Sequence, residues 1–344
     1  MAGARFGRVR ASGVSAVTHD PADLVAGFWA VVVTFEGELT AVRFDTVVPD
    51  QPPVVDDGTQ DWPALGGGWR SSLDEDAFTA GVREIRERIA AGTVYQVNLC
   101  RVLSHDLPEE ARLTDLGPVL ARGNPAPYAA VVDVPQAGLE IVSASPEAYL
   151  VRRGGRLTSR PIKGTAATAA GLLPKDRAEN VMIVDLVRND LGRVCRPGTV
   201  DVDRLCAVEE HPGLVHLVSD VTGELRPGVT WADLLAATFP PGSVSGAPKH
   251  TALRAIADLE PVPRGPYCGA VGWVDADADE AVLAVGIRTF WAAREPDGRR
   301  VLRFGTGAGI TWGSDPLAEW RETQLKADRL VGLASGTSRD GRGI

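Results

Sequence analysis

The sequence predicts an α+β fold built on antiparallel β-sheets, with helices packed outside them. Two observations carry this prediction. Short apolar runs are separated by turns over most of the chain, which contains 38 Gly and 24 Pro, and several adjacent runs carry hairpin signals. Helical periodicity is confined to a few segments, so the regular βαβ units of a doubly wound parallel fold are scarce.

The N-terminal region predicts a β-hairpin followed by a linker. Residues 26–35 and 38–48 are strand-like and flank Glu36-Gly37, while residues 49–71 are rich in Pro, Gly and Asp. We therefore expect an N-terminal β region over residues 1–70, a catalytic domain over 71–334 and a flexible tail over 335–344.

Three segments have the periodicity of substantial helices. Ser72 and Glu75 form a capping-box pattern ahead of apolar residues at helical spacing. Residues 176–194 are apolar around most of the helix, which predicts a largely buried helix, and a last helix begins at Ser314-Asp315-Pro316 and runs to about residue 333. Shorter helices fit 230–238 and 248–259. Strands are predicted at 94–105, 127–134, 139–144, 148–160 (a hairpin), 213–224, 266–274, 281–293 and 300–305.

Charge and composition exclude several classes of protein. The 344-residue chain has 36 Lys+Arg against 45 Asp+Glu, a net charge of −9, so it has no bulk attraction for nucleic acid or anionic lipid. The longest apolar run, residues 28–35, is far shorter than the roughly 20 residues that span a bilayer, and no secretory signal is evident. Four scattered cysteines without a C-x-x-C motif indicate reduced thiols, so we expect a cytoplasmic protein.

Two glycine clusters lack the spacing of nucleotide-binding motifs. The third glycine of residues 305–309 is one position too early for G-x-G-x-x-G, and residues 241–249 lack the G-K-[ST] order of a Walker A motif. Both segments can still bring backbone N–H groups close to an anion.

Acidic residues recur at a three-residue spacing on two predicted helices. Asp176 and Glu179 form one pair, and Glu319 and Glu322 form the other, with Lys326 four residues on. Such pairs ordinarily lie on solvated helix faces. Carboxylates in apolar surroundings need partners, however, and two from separate helices suit Mg²⁺, which takes few protein ligands.

Other candidate residues each have a structural alternative. Lys163 follows a strand in a Pro- and Gly-containing turn and is either a surface lysine or a nucleophile whose pKa is lowered by desolvation or by a cation such as Arg160. Glu147 is a rim carboxylate or an acid, and His216, within an apolar run, is most simply a core histidine. Arg288 interrupts a strand and therefore needs a carboxylate partner, from the protein or from a substrate.

Taken together, these segments resemble the chorismate-utilising enzymes, a family that includes anthranilate synthase component I, aminodeoxychorismate synthase component I, and isochorismate and salicylate synthases. The resemblance covers about three quarters of the chain, residues 75–332. The matching pieces include Tyr95-Gln-Val-Asn-Leu99, Ser145-Pro-Glu147, Arg160-Pro-Ile-Lys-Gly-Thr165, Asp176-Arg-Ala-Glu-Asn180, Phe239 to Lys249, Tyr267-Cys-Gly-Ala270, Gly286-Ile-Arg-Thr289 and Glu319-Trp-Arg-Glu-Thr323. It implies two packed, mainly antiparallel sheets flanked by helices, with the active site between the sheets.

The resemblance also implies roles for particular residues. Glu179 and Glu322 correspond to direct Mg²⁺ ligands, with Asp176 and Glu319 behind them, and the metal holds the ring carboxylate of chorismate. Glu147 corresponds to the general acid that protonates the departing C4 hydroxyl, and His216 flanks that hydroxyl. The implied substrate contacts are Arg288, Tyr267, Gly307, Ala308, Gly309, Lys326, Thr165, Ser243, Gly246 and Gln96.

Two positions select among the family's reactions. Members that add water carry Lys where this chain has Gln96, and an amide cannot take a proton from water at neutral pH. Lys163 matches the P-I-K-G-T segment of aminodeoxychorismate synthases, whereas anthranilate synthases have Ala there. The resemblance therefore implies amination of chorismate at C4 through a Lys163 adduct, for p-aminobenzoate and folate or for a specialised metabolite.

Alternatives remain open at this point. One is an anthranilate synthase or 2-amino-2-deoxyisochorismate synthase component I, and another is a catalytically silent chorismate-binding protein. The sequence lacks the Cys nucleophile pattern of a glutamine amidotransferase. We therefore expect ammonia to come from a separate amidotransferase subunit.

Overall fold

A computed structural model of the chain describes residues 2–50, 62–166, 168–172, 174–211 and 214–337. Its strands are β1 Gly3–Phe6, β2 Val9–Thr18, β3 Phe28–Val33, β4 Leu39–Pro49, β5 Arg70–Ser71, β6 Gln96–Asp106, β7 Tyr128–Val134, β8 Leu139–Ser145, β9 Ala148–Arg153, β10 Arg156–Arg160, β11 Ile162–Ala166, β12 Asp201–His211, β13 Leu214–Glu224, β14 Gly246–Ala247, β15 Ala270–Asp275, β16 Glu280–Val285, β17 Thr289–Arg294 and β18 Arg300–Ile310. Its helices are α1 Glu75–Ala90, α2 Leu113–Gly123, α3 Pro174–Gly192, α4 Trp231–Thr238, α5 Lys249–Leu259 and α6 Pro316–Ser335.

The prediction of an α+β fold with antiparallel sheets is confirmed. The strand pairings described are all antiparallel, and they join the described strands into one continuous network of 18. The N-terminal strands belong to this network, since β3 pairs with β15 and β1 pairs with β7.

The longest pairing that concerns the site joins β6 to β18. It runs from Val301 opposite Asp106 to Ile310 opposite Val97. Helix α6 packs on β18 and against helices α1 and α2, whereas α3 packs on β11, β12 and β13. The two acidic helices therefore approach the sheet network from different strands.

Two apolar clusters form the core. The larger one contains Phe78, Ile85 and Leu99, and the smaller one lies under α2 and contains Leu116 and Phe290. None of the helices in the described part of the chain combines the length and apolarity needed to span a bilayer.

Several local predictions were wrong. The N-cap of α1 is Asp74, whose carboxylate accepts from the Ala77 N–H at 2.8 Å, while the Ser72 hydroxyl accepts from the Val102 N–H. The strand predicted at 281–293 is two strands, because the backbone turns at Arg288, whose φ is +53°. Helix α3 is not largely buried, because one of its faces is exposed and includes Val181, which is 48% exposed.

Other elements were not predicted, and two predicted segments lie partly outside the residues that the structure describes. Strands β1, β2, β11 and β12 and helix α2 were not predicted, and β18 continues five residues past the predicted end at 305. The predicted linker over 49–71 and tail over 335–344 lie in part outside the described residues, at 51–61 and from 338 onward.

Candidate active site

Three glycines of β18 line one surface of the sheet, which we call the glycine face. Gly305, Gly307 and Gly309 alternate along the strand, so their missing side chains would all point to the same side. A Cβ at any of them would collide with a neighbouring side chain. The atoms it would meet belong to Tyr267 at Gly305 (2.0 Å), Cys100 at Gly307 (2.5 Å), and Gln96 (2.5 Å) and Lys163 (3.3 Å) at Gly309. The glycines thus place Tyr267 and Lys163 about 13 Å apart along one strand.

One edge of the glycine face is open. Pairing of β17 with β18 ends at Phe290 opposite Phe304, and no other described strand pairs with that edge further along. The N–H of Cys100, which is opposite Gly307, points away from β18 and donates to Glu260 Oε1 at 2.8 Å. The peptide groups of Gly307 and Gly309 therefore face the open edge. Ala308, between them, is opposite Leu99.

Cationic side chains gather at this open edge. Lys326 Nζ donates to the Gly307 carbonyl at 3.1 Å and pairs with Glu322 at 2.6 Å. Arg288 is mostly buried, and among the described residues its guanidinium has no ion pair or hydrogen bond. Burial and the neighbouring Arg329 lower the pKa of Arg288. A buried guanidinium without a counter-charge is suited to binding an anion.

Lys163 places its ammonium at the far end of the glycine face. Burial and the positive charge of Lys326 lower its pKa, while the carboxylates of Glu179, Glu147 and Glu322 oppose that shift. No described carboxylate lies at ion-pair distance from it. The suggestion that Arg160 is the neighbouring cation was wrong, because Arg160 pairs with Asp220 at 2.8 Å and Glu209 at 2.5 Å. Lys163 is therefore available as a neutral amine at lower pH than an exposed lysine.

Glu147 lies between β8 and β9 and is 4% exposed. Burial raises the pKa of its carboxyl to about 7, against hydrogen bonds from the Ser243 hydroxyl and the Ile162 N–H and the positive charge of Lys163. A cavity of about 20 Å³, lined in part by Asp190 and Tyr149, adjoins it, enough for one water. A carboxyl that titrates near neutral pH can act as a general acid.

The acidic residues of α3 and α6 converge on the same region. Glu179 and Glu322 both act on the Lys163 ammonium, so carboxylates from two helices flank one point. Asp176 packs on Gly164, where an added Cβ would lie 2.8 Å from the Asp176 Cβ, and Glu319 is buried. No cluster of three or more His, Cys, Asp or Glu side chains arranged for a metal is found within the described residues. Two hard carboxylate donors nevertheless fit Mg²⁺, which commonly keeps water and substrate oxygens as its other ligands.

The remaining predicted residues lie on four strands, with His216 on β13, Thr165 on β11, Gln96 on β6 and Gly246 on β14. His216 is buried in β13, opposite Thr165 of β11, and the Thr165 side chain lies outside the described part. Gln96 is 1% exposed, and its Oε1 has no hydrogen-bond partner among the residues that the structure describes. Gly246 allows close approach to β6, since a Cβ there would lie 2.3 Å from the Gln96 carbonyl oxygen. An unpaired buried acceptor beside a lysine is a further sign of a ligand position.

Sequence reasoning missed the residues behind the glycine face. Cys100 Sγ accepts from Asn98 Nδ2 at 3.1 Å and donates to Tyr267 Oη at 3.8 Å. Burial raises the pKa of Tyr267 well above its ordinary value, so the phenol stays neutral. Arg264 and Glu260 form a buried ion pair behind Cys100. The alternation of glycines at 305, 307 and 309 was the available signal for this surface.

Comparisons with known proteins identify the family of the chain. Residues 41–332 match the chorismate binding enzyme family. The chain is 43% identical over 288 residues to anthranilate synthase component 1 of Streptomyces coelicolor (80% of this chain, 53% of the relative) and 37% identical over 277 residues to aminodeoxychorismate synthase component 1 of Bacillus subtilis (77% and 57%). It thus spans a little over half the length of these relatives.

Solved structures share the fold. A putative 2,3-dihydroxybenzoate-specific isochorismate synthase from Bacillus anthracis superposes with a TM-score of 0.81 at 24% identity, covering 98% of this chain and 96% of that one. Anthranilate synthase component I from Streptococcus pneumoniae gives 0.77 at 23% identity, covering 97% and 92%. With the family match over most of its length, the chain belongs to the chorismate-binding enzymes.

Proposed function

We propose that this chain is the component I of an aminodeoxychorismate synthase, which converts chorismate and ammonia to 4-amino-4-deoxychorismate and water. The observation that carries the proposal is the amine of the half-buried Lys163. It lies against the glycine face, has a lowered pKa and has no described carboxylate at ion-pair distance. An amine in that state is a nucleophile.

The chemistry follows from two side chains. The neutral Lys163 Nζ attacks C2 of the chorismate ring, both conjugated ring double bonds shift by one position toward C4, and the C4–O bond breaks. Glu147, protonated below about pH 7, gives its proton to the departing hydroxyl, which leaves as water. Ammonia then attacks C4, both double bonds shift back, and the C2–N bond to Lys163 breaks. The lysine is regenerated, and the amino group remains on C4.

The other site residues hold the substrate. Arg288 and the peptide N–H groups of Gly307 and Gly309 are positioned to bind the enolpyruvyl carboxylate, with the neutral Tyr267 phenol beside them. Glu179 and Glu322 would hold Mg²⁺, with Asp176 and Glu319 behind them. When bound, the metal supplies positive charge opposite the ring carboxylate. His216 flanks the position of the departing hydroxyl.

The nearest competing function is amination at C2, the reaction of an anthranilate synthase or a 2-amino-2-deoxyisochorismate synthase. It is favoured by the 43% identity to a protein named anthranilate synthase component 1. The two functions differ in what Lys163 does, because direct addition of ammonia at C2 needs no amine from the protein. A catalytically silent chorismate-binding protein is the third possibility.

Identification of the product tests the proposal. The purified chain is supplied with chorismate, Mg²⁺ and ammonium, since we propose that a separate glutamine amidotransferase subunit provides ammonia in the cell. We expect 4-amino-4-deoxychorismate, with the C4–N bond assigned by NMR. Anthranilate with pyruvate, or a 2-amino product, would show C2 amination. Chorismate binding by calorimetry without turnover, with an amidotransferase present, would show the silent protein.

A further inference from the structure

A buried ion pair lies beside β6, at the edge that faces away from β18. Arg264 is 1% exposed, and its guanidinium donates to both carboxylate oxygens of Glu260, through Nε at 2.7 Å and Nη2 at 2.6 Å. It also lies 4.1 Å from the ring of Phe35. No step of the proposed reaction uses this pair.

The pair takes the place of a strand along the edge of β6. The short strand β14 covers that edge only at Gln96 and Val97. Beyond it, the Asn98 carbonyl accepts from Arg264 Nη2 at 2.7 Å, and the Cys100 N–H donates to Glu260 Oε1 at 2.8 Å. One donor and one acceptor two residues apart are what a neighbouring antiparallel strand would provide. The pair therefore fixes the backbone that carries Gln96, Asn98 and Cys100.

The same guanidinium also holds the turn next to the general acid. Arg264 Nη1 donates to the Val244 carbonyl at 2.9 Å, and the adjacent Ser243 hydroxyl hydrogen-bonds Glu147. The Asn98 N–H donates to the Ser245 carbonyl at 2.8 Å, which joins the turn to β6. Besides Ser243, Lys163 faces Glu147, and Asp190 and Tyr149 lie across the small cavity.

We infer that Arg264 is a positioning residue, whose guanidinium fixes the Gly242–Ser245 turn, and with it Ser243 and Glu147, relative to the β6 backbone that carries Gln96. The inference rests on the proposed function, in which Glu147 is the general acid. Buried ion pairs contribute little to stability against apolar replacements, so four acceptors on one buried guanidinium point to a positioning role. Such geometry matters because a misplacement of about 1 Å can cost on the order of 100-fold in rate.

The test compares Arg264→Lys with Arg300→Lys. Arg300 is also buried, at 8% exposed, donates to the Pro108 and Ala111 carbonyls at 2.9 and 2.8 Å, and pairs with Glu140, but it lies at the far end of β18. Both variants bury a lysine in place of a guanidinium. We expect Arg264→Lys to lower kcat by about 10- to 100-fold with the KM for chorismate within about 3-fold, and Arg300→Lys to change neither beyond about 3-fold.

A pH profile separates positioning from loss of folded protein. The hydrogen bond from Ser243 favours ionised Glu147, so losing it raises the pKa of Glu147. The limb of the kcat profile that reports Glu147 should therefore move to higher pH in Arg264→Lys, and Ser243→Ala should reproduce that shift. An unmoved limb, with kcat reduced no more than in Arg300→Lys, would overturn the inference.

Hydrogen exchange gives a readout that does not depend on the reaction. Peptides covering 96–101 and 242–247 should exchange faster in Arg264→Lys than in wild type and stay unchanged in Arg300→Lys. If Arg264→Lys does not fold, Glu260→Gln should show the same changes at smaller size. Unchanged exchange in both peptides would contradict the inference. Absence of chorismate turnover in wild type would instead contradict the proposed function, while exchange would still decide the role of Arg264.

Discussion

Two lysines of the fold, Lys249 and Lys163, differ in their charged partners. Lys249, at the start of α5, donates to Asp190 at 2.7 Å and to the Thr238 carbonyl at 3.0 Å. Lys163, on β11, has carboxylates near it but none of the described ones at ion-pair distance, and burial lowers its pKa. The first arrangement holds a cation in place, and the second favours a free amine. The difference shows that the partners of a half-buried lysine decide whether it serves as a fixed cation or as a free amine.

Removing the Lys163 amine should have the largest effect. In Lys163→Ala, formation of the 4-amino product should fall by about 10³-fold or more, because the covalent route loses its nucleophile. Lys163→Arg keeps the positive charge without a nucleophilic amine and should be equally inactive. Product quantification by chromatography checks both variants. Substantial 4-amino product from either variant would contradict the claim that Lys163, unlike Lys249, acts as a nucleophile.

Neutralising Glu147 should rank second. Glu147→Gln keeps the size and the hydrogen-bonding capacity of the side chain but cannot donate a proton, so kcat should fall by about 10²- to 10⁴-fold. Chorismate binding, measured by calorimetry, should stay within about 3-fold because the anion-binding residues are intact. A kcat near that of wild type would show that another group protonates the leaving hydroxyl.

The pH dependence of wild-type kcat/KM should be bell-shaped. Activity should rise with pH as Lys163, whose pKa is lowered, loses its proton. It should stop rising near pH 7, where Glu147 begins to lose the proton that the leaving group needs, and fall at higher pH. The alkaline limb should disappear in Glu147→Gln. A steady rise of kcat/KM to about pH 9 would contradict the assignment of Glu147 as the acid.

The smallest effect on turnover should come from Lys249. Lys249→Met leaves the Asp190 carboxylate buried without its cation, and burial already raises the pKa of Asp190 against the pull of Lys249. We expect the free energy of unfolding to fall by about 3 kcal/mol, with turnover per folded molecule within about 3-fold of wild type. Urea denaturation and active-site titration measure the two quantities. The double variant Lys249→Met/Asp190→Asn should recover most of the lost stability. Loss of turnover without loss of stability in Lys249→Met would contradict the structural role of Lys249.

Patterns within one segment were predictable from the sequence, and contacts between distant segments were not. The periodicity of α1 and the position of β6 followed from local spacing. The true N-cap at Asp74 did not, because Ser72 and Asp74 are both good capping residues and the hydroxyl of Ser72 instead accepts from Val102, 30 residues away.

The same distinction between local patterns and distant contacts applies to the site. Resemblance placed Lys163 and Glu147 in one site, but only the fold brings Lys163 against Gly309, or Arg264 against Asn98, 166 residues away. Arg264 also occurs in a Pro- and Gly-rich segment without periodicity. No local pattern there indicates that its side chain is buried.

The most direct test is a search for a covalent bond to Lys163. The protein is mixed with chorismate and Mg²⁺ without ammonia, quenched and digested, and the peptide containing residue 163 is analysed by mass spectrometry. We expect this peptide to carry chorismate less one water, attached to Lys163. Added ammonium should remove the adduct as 4-amino-4-deoxychorismate forms. An unmodified Lys163 in a preparation that makes the 4-amino product when ammonium is supplied would contradict the covalent route.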